Sequence, residues 1–173
     1  MLTIRRATAS DADALSLISR DTFVETFGHL YSPEDLATHL DTMYAPEKYR
    51  DALEEQGAIA WLLMDESSDV QGYAYAGPCG LPHEDVQPGD LELKRLYLRR
   101  TLQNGGWGAK LFAEAEAWMQ RNGPAAIWIG VWSENLGAQR FYARHGYEKV
   151  GEYLYPVGET RDLEFILKKS LAH

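Results

Sequence analysis

The sequence predicts a mixed α/β fold in which about seven strands form one sheet with helices on both faces. The first observation behind this prediction is the order of elements, β-α-α-(α)-β-β-β-α-β-α-β-β, read from apolar periodicity and turn residues. The second is the presence of two antiparallel hairpins, over 58–76 and 147–168. The third is the unbroken apolar run 126–132 (AIWIGVW), which is typical of a strand covered on both faces of its sheet.

The N-terminal part of the chain is predicted to hold a short strand over 2–6 and helices over 11–27, 33–44 and 46–57. In the first helix, the apolar residues predicted to lie roughly on one face are Ala14, Leu17, Ile18 and Val24. The second helix has a clear start, because Ser32 is a good N-cap residue and Pro33 suits the first helical position.

The C-terminal part of the chain is predicted to alternate strands with helices. Helices are expected over 109–120 and from position 133 or 135 to 146. The closing strands, over 147–155 and 161–168, are joined by a turn at 156–158.

Composition and charge limit the class of protein to which this chain can belong. The 173 residues are 45% hydrophobic and 25% charged, as in an ordinary globular chain, and we expect one domain over 1–173. A net charge of -9 argues against a nucleic-acid or anionic-membrane partner and is compatible with a cationic substrate. Cys79 is the only cysteine, which excludes an internal disulfide and a cysteine-based zinc site, and we interpret it as a buried thiol rather than a nucleophile.

Metal binding and membrane insertion are not expected either. His29, His83 and His145 lack the spacing of metal ligands. No apolar run approaches the about 20 residues that span a bilayer, and the N-terminus lacks the apolar core of a signal peptide. We therefore expect a cytoplasmic protein without a metal.

The stretch 91–108 (LELKRLYLRRTLQNGGWG) reads as a strand, a glycine-containing loop and the start of a helix. Backbone N–H groups and the helix dipole at such a start favour a phosphate or pyrophosphate. A nucleotide P-loop is excluded, because Gly108 is followed by Ala109 and Lys110 rather than by Lys-Ser or Lys-Thr. A dinucleotide fingerprint is excluded because its third glycine would fall at Leu111. A plain turn and helix start remains the alternative interpretation.

The pattern Gln103-x-x-Gly106-x-Gly108, directly after a strand, resembles the pyrophosphate loop of the GCN5-related N-acetyltransferase (GNAT) family. The segment 135–147 (NLGAQRFYARHGY) resembles a second signature of that family, and the order of elements resembles the family's along nearly the whole chain. Within the family, 22–36 (TFVETFGHLYSPEDL) is similar to the spermidine/spermine acetyltransferases. The resemblance implies a mostly antiparallel sheet of about seven strands that splays apart at its middle.

The same resemblance implies acetyl-CoA as co-substrate. The loop would bind its pyrophosphate, and the preceding strand would pair through main-chain groups with its pantetheine arm. Asn135 would hydrogen-bond that arm or order the splayed strand, with a simple helix N-cap as the alternative. The residues expected to bind the coenzyme are Leu96, Tyr97, Leu98, Gln103, Asn104, Gly105, Gly106, Trp107, Gly108, Ala109, Asn135 and Tyr142.

Glu92 and Tyr142 are the candidate catalytic residues. Glu92 lies eleven residues before Gln103, where histone-modifying members of the family carry a catalytic glutamate, and would act as general base directly or through water. A solvated glutamate at a strand start is the alternative. Strand alternation places Glu92 on the same side as Lys94 and Leu96 unless a bulge intervenes.

Tyr142 matches the family tyrosine that donates a proton to the sulfur of coenzyme A. A phenol suits this role, because its reference pKa of about 10 keeps it protonated at neutral pH. A tyrosine packed in the core is the alternative interpretation. The oxyanion would be stabilised by a backbone N–H within 96–98.

The acceptor side is expected to include the break after the first helix, the loop 77–89 and the tip of the closing hairpin. The candidate substrate-binding residues are Glu25, His29, Tyr31, Tyr153 and Tyr155. Acidic and aromatic side chains suit a polyamine or another small cationic amine, through charge pairing and cation–π contacts. Solvated loop acids are the alternative for each carboxylate.

These observations together predict an acetyl-CoA-dependent N-acetyltransferase that acts on a small primary amine and has neither nucleic acid nor membrane as partner. Two alternatives stay open, a non-catalytic acyl-CoA-binding module and an acetyltransferase of protein N-termini or lysines. A homodimer is compatible with the resemblance, since dimers are frequent in the family.

Overall fold

The computed structural model describes residues 1–171, which form seven strands and five α-helices. The strands are β1 Thr3–Arg6, β2 Ile59–Met64, β3 Val70–Pro78, β4 Leu91–Leu98, β5 Ala126–Trp132, β6 Glu148–Val157 and β7 Thr160–Ser170. The helices are α1 Ala12–Phe27, α2 Pro33–Met43, α3 Pro46–Glu55, α4 Trp107–Arg121 and α5 Leu136–Arg144.

The strands form one mixed sheet in the order β1-β2-β3-β4-β5-β7-β6. Within the described chain, β4 and β5 are the one parallel pair and all other neighbours are antiparallel. The predicted seven-stranded, mostly antiparallel sheet and the predicted order of elements are therefore confirmed.

Both faces of the sheet are covered by helices, as predicted. One face packs on α4 and α5 through Leu93, Leu111, Phe112, Met119, Ile127 and Ile129. The other packs on α1 and α3 through Leu15, Ile18, Tyr49, Leu62 and Tyr73. β5 is buried on its two faces, because Ile127 and Trp128 are each 0% exposed although they point in opposite directions.

The start of α2 is confirmed, since the Asp35 N–H donates to Ser32 Oγ at 3.1 Å and Pro33 is the first helical residue. The predicted turn at 156–158 lies slightly too early. β6 continues through Val157, which pairs with Thr160, and the chain turns at 158–159. A short 3₁₀ turn precedes α1.

The predicted buried face of α1 is wrong at two positions, because Leu17 and Val24 are 59% and 43% exposed. Ile18 is buried as expected. The buried face instead includes Ser19 and Thr22, whose hydroxyls donate to carbonyls one turn earlier at 2.6 and 2.7 Å. These hydrogen bonds let small polar side chains occupy a buried face. Apolar periodicity alone therefore predicted the wrong face of α1 as the buried one.

β4 and β5 separate after a short paired segment, in which Leu93 is opposite Ile129 in the last pair. Beyond this point β4 stays paired with β3 as far as Leu98, and β5 stays paired with β7 as far as Trp132. The β4 backbone over 94–98 therefore has no strand partner on its β5 side. This divergence confirms the predicted splay at the middle of the sheet.

A β-bulge in β4 lies where the two strands separate. Leu93 and Arg95 are opposite successive residues of β3, so Lys94 is the extra residue. Because of this insertion, Leu93 and Leu96 both pack towards α4, while Arg95 points to the other face. Glu92 therefore shares a face with Arg95 and not with Leu96. A bulge does intervene, so simple strand alternation from Glu92 to Leu96 does not hold.

Candidate active site

A cavity of 380 Å³ lies in the gap between β4 and β5. The two strands line it with residues 92–97 and 129–132. The remaining walls come from α1, α2, α5, the β6–β7 hairpin and residues 80–82 of the predicted acceptor loop. They are rich in aromatic rings: Phe23, Phe27, Tyr31, Tyr44, Tyr142, Tyr153 and Tyr155. The separation of the strands thus creates both the cavity and the free strand edge beside it.

Eight of the predicted site residues line this cavity, whereas Leu98 and the loop 103–109 are not part of its lining. Among its lining residues are Tyr31, Glu92, Leu96, Tyr97, Asn135, Tyr142, Tyr153 and Tyr155. Glu25 and His29 lie outside it. The Glu25 carboxylate accepts the Arg100 N–H at 3.1 Å, and His29 is exposed in the 3₁₀ turn after α1.

The predicted coenzyme loop, 103–109, connects β4 to α4. Asn104 and Gly106 have φ angles of 69° and 84°, and glycine adopts such a left-handed conformation with little strain. Among the described residues, no side chain caps the first N–H groups of α4. Uncapped N–H groups at a helix start favour an anion, so the loop fits the pyrophosphate of acetyl-CoA.

Asn135 occupies the N-cap of α5 and also lines the cavity. Its Oδ1 accepts the Ala138 N–H at 3.1 Å. The N-cap interpretation is therefore correct, and it is compatible with ligand binding because the side-chain amide also carries two N–H donors.

Tyr142 lies in α5 and is 9% exposed. Its ring packs near Phe112 and Tyr147, with ring centroids 5.7 and 6.1 Å away. Burial raises the pKa of the Tyr142 hydroxyl well above its ordinary range, so the group stays protonated at neutral pH. No hydrogen bond joins this hydroxyl to any other residue within 1–171, and its proton is therefore available to a ligand in the cavity.

Glu92 is a buried residue, 8% exposed, and not a solvated one. Its Oε1 accepts the Gly80 N–H at 3.0 Å and pairs with Lys94 Nζ at 3.2 Å. Any ammonium group that enters the cavity must compete with Lys94 for this oxygen.

Glu164, on β7, is a cavity residue that the sequence interpretation missed. Its Oε2 is buried and has no hydrogen-bond partner among the residues described. Burial and the neighbouring Asp162 carboxylate raise the pKa of Glu164 to about 7. A signal was present, because Asp162 and Glu164 alternate with apolar residues and share a face with Ile166 in a strand bordered on both sides.

The part of the cavity that the sequence assigns to the acceptor carries charges of both signs. Asp162 accepts a hydrogen bond from the Tyr31 hydroxyl. Arg95 donates to the Tyr49 hydroxyl at 2.8 Å and lies 4.8 and 5.1 Å from the rings of Tyr44 and Tyr75. Cation–π contacts with tyrosine stabilise this guanidinium, which has no carboxylate partner in the part of the chain described.

Gly130 makes room for the Tyr153 side chain. A Cβ atom at this position would lie 3.1 Å from Tyr153 Oη and 3.2 Å from Leu81. The glycine thus lets the tyrosine hydroxyl lie directly over β5, within the cavity lining.

Burial raises the pKa of the Cys79 thiol to about 11, so that it is protonated at neutral pH. Within residues 1–171 no three His, Cys, Asp or Glu side chains are grouped so that they could hold a metal ion. None of the described helices is long and apolar enough to cross a membrane.

The chain matches the model of the acetyltransferase (GNAT) family over residues 23–147. It therefore belongs to this family, as the loop after β4 and the signature in α5 indicated. The fold, the cavity and the family together define an N-acetyltransferase that uses acetyl-CoA.

Relatives of this chain carry the same kind of description. It is 33% identical over 168 residues to an uncharacterized N-acetyltransferase in the pepI 3′ region of Lactobacillus delbrueckii subsp. lactis, covering 97% of this chain and 96% of that one. It is 23% identical over 166 residues to a spermidine N(1)-acetyltransferase of Thermoplasma acidophilum, covering 96% and 95%. Its fold matches the crystal structure of a PaiA N-acetyltransferase from Thermoplasma acidophilum in complex with coenzyme A, with a TM-score of 0.75, 20% identity and 99% coverage of each chain.

Proposed function

We propose that this enzyme transfers an acetyl group from acetyl-CoA directly to the primary amine of a small cationic molecule, with polyamines as the first candidate class. The observation that carries the proposal is the cavity, whose described lining combines the carboxylates of Glu92, Asp162 and Glu164 with several tyrosine rings. Carboxylates pair with ammonium groups, and tyrosine rings attract cations through their faces. The Thermoplasma relative named as a spermidine acetyltransferase supports the same class.

The coenzyme is proposed to bind along the free edge of β4. Main-chain groups of Leu96 and Leu98 have no strand partner on that side, so they can pair with the amide groups of the pantetheine arm. The loop 103–109 would bind the pyrophosphate, and Asn135 would donate to the arm from the opposite side of the gap.

Tyr142 is proposed as the proton donor to the leaving group. In the reaction the amine nitrogen, after losing a proton, attacks the thioester carbonyl carbon. A C–N bond forms, the C–S bond breaks, and the sulfur takes a proton from the Tyr142 hydroxyl. The nitrogen loses a second proton as the amide forms, and this proton restores the hydroxyl of Tyr142. The apolar surroundings that keep Tyr142 protonated also raise the proton affinity of a thiolate formed beside it.

The proton acceptor for the amine is one of two cavity carboxylates. Glu92, the candidate from the sequence, could act through water, but Lys94 and the Gly80 N–H already contact one of its oxygens. Glu164 lies in the same cavity without such partners among the described residues.

An acceptor that also carries an anionic group, such as an amino acid, is a second candidate. Arg95 favours it, because this guanidinium lines the cavity and no carboxylate of the described chain pairs with it. A polyamine would meet the same positive charge unfavourably.

The test is release of free coenzyme A thiol from acetyl-CoA across a panel of amines: spermidine, spermine, diamines, amino acids, aminoglycosides and lysine peptides. Saturable release with polyamines would support the first proposal, and release confined to amino acids would favour the second. Release only with lysine peptides would indicate a protein substrate. Binding of acetyl-CoA without release from any amine would contradict catalysis of amine transfer and indicate a binding module.

A further inference from the structure

We propose that Glu164, rather than Glu92, receives the proton of the acceptor amine. This inference rests on the proposed transfer to an amine and assigns its general base. It starts from the position of Glu164 in the sheet and from the contacts of each carboxylate in the cavity.

Register places the Glu164 side chain in the cavity. Glu164 is directly opposite Trp132 of β5 and Tyr153 of β6. Directly opposed residues of antiparallel strands point to the same face of a sheet. Trp132, Tyr153 and Glu164 all line the cavity, so the carboxylate belongs to the face on which an acceptor would bind.

The hydrogen bonds of Glu164 are incomplete in a way that points to a ligand. Its Oε2 is shielded from solvent and no group within the described residues donates to it. A buried carboxylate oxygen without a donor is costly, and native proteins rarely contain one without a functional reason. An acceptor ammonium would supply the missing donor.

The other two carboxylates of the described cavity lining have partners already. Glu92 is held by Lys94 and by the Gly80 N–H. Asp162 accepts from the Tyr31 hydroxyl. Each of these two carboxylates thus has one oxygen engaged, which suits positioning, whereas no hydrogen bond or ion pair engages Glu164 within the described residues.

The surroundings of Glu164 also suit proton transfer near neutral pH. The titratable groups that interact with it are Asp162 on β7, Tyr153 and Tyr155 on β6, Tyr97 on β4 and Tyr31 between α1 and α2. The pKa of each tyrosine is raised, so the tyrosines are neutral and Asp162 is the one charge among them. Burial and this charge bring the pKa of Glu164 to about 7, close to the optimum for a general base.

The proton balance is simple. The ammonium gives one proton to Glu164 Oε2 and becomes a neutral amine that can attack. As the C–N bond forms and the C–S bond breaks, Tyr142 gives its proton to the sulfur, and the nitrogen loses a second proton that passes to the Tyr142 oxygen. Glu164 then releases its proton to solvent after product release.

The experiment compares Glu164→Gln with Glu92→Gln in the full chain, using an amine that the wild-type enzyme acetylates. We expect Glu164→Gln to lower kcat by about 100-fold or more, the usual range for loss of a general base. It should also remove the rise of kcat/KM that the wild type shows near pH 7, while the acetyl-CoA Kd is unchanged. Glu92→Gln should keep that rise.

Two further measurements separate chemistry from structure. Glu164→Gln should be at least as resistant to thermal unfolding as the wild type, because the change removes an unpartnered buried charge. A ¹³C NMR titration of the glutamate carboxyls, assigned with this variant, should show one group that titrates near pH 7 and shifts when the amine is added.

The outcomes are distinguishable. A Glu164→Gln enzyme with wild-type turnover and pH profile would overturn this inference alone. Loss of the pH-dependent rise in Glu92→Gln, but not in Glu164→Gln, would assign the role to Glu92. A wild type that acetylates no amine would overturn the proposed function and this inference with it.

Discussion

The coenzyme side and the acceptor side of the cavity are built from different kinds of chemical group. On the coenzyme side, the proposed binding groups are mainly the backbone of β4 and of the loop 103–109. On the acceptor side they are side chains from α1, α2 and the β6–β7 hairpin. Backbone groups are the same in every sequence with this fold, whereas side chains can be replaced singly. We therefore expect the fold to determine coenzyme binding and a few side chains to determine the choice of acceptor.

The largest expected effect comes from Tyr142, which is proposed to act where the coenzyme side meets the acceptor side. Tyr142→Phe should lower kcat by about 100-fold or more, because it removes the proposed proton donor. The acetyl-CoA Kd should hardly change, since phenylalanine keeps the buried ring and the hydroxyl is proposed to act only as the C–S bond breaks. Initial rates of thiol release and calorimetric titration would measure the two quantities. Full turnover of the variant at several pH values would exclude Tyr142 from the chemistry.

The next effect concerns stability on the acceptor side. The folded-state pKa of Glu164 is about 7, above its ordinary value of 4.5, so the folded protein retains a proton that the unfolded chain loses. Stability should therefore fall as the pH rises from about 4.5 to 7, by roughly 3 kcal/mol from this residue. Urea unfolding at pH 5 and pH 8 would measure it. The change should be smaller by that amount in Glu164→Gln, and an equal change in both proteins would contradict the prediction.

A smaller effect is expected on the coenzyme side. Gly106→Ala forces a side chain into a left-handed conformation, with a φ of 84°, although its Cβ would meet open space. The cost of about 1–2 kcal/mol should weaken acetyl-CoA binding by about 5- to 30-fold. Gly105→Ala is the matched control, because its Cβ would make ordinary contacts of 3.7 and 3.8 Å. Equal affinities of the two variants would show that the loop conformation does not matter.

The smallest expected effect tests whether Tyr153 belongs to the acceptor side or to the coenzyme side of the cavity. Gly130→Ala would place its Cβ 3.1 Å from Tyr153 Oη, so the tyrosine must shift, at a cost of about 1 kcal/mol. The KM for the acceptor should rise several-fold, while the acetyl-CoA Kd stays constant. A change confined to acetyl-CoA binding would place Tyr153 on the coenzyme side instead.

The two sides also differ in how well the sequence predicted them. The loop 103–109 and the signature in α5 are contiguous in sequence, so short patterns were enough to locate them. The acceptor side brings together residues that are far apart, such as Tyr31 and Asp162, which are 131 positions apart. No short pattern reports such a contact, and Glu164 was missed for this reason.

Local regularity explains most of the other differences. Strand and helix positions were predicted well where turn residues and apolar runs agree, as in β5. The buried face of α1 was predicted wrongly because Ser19 and Thr22 bury their hydroxyls, which apolar periodicity does not detect. The contacts of Glu92 depended on the bulge at Lys94, and strand alternation cannot show where an extra residue lies.

The bulge at Lys94 has a consequence for the changes in length that β4 can accept. Leu93 and Leu96 pack in the core beside α4, while Arg95 lies on the opposite face. Because Lys94 is an extra residue in the strand, the two leucines can share one face although they are three positions apart. Deleting Lys94 would restore strict alternation and leave Leu93, Arg95 and Leu96 on their present faces, whereas deleting one of the regularly paired residues after it would reverse the faces of part of the strand. We therefore expect β4 to accept the loss of one residue only at the bulge, where the deletion would keep the hydrophobic core and remove the Lys94 contact with Glu92.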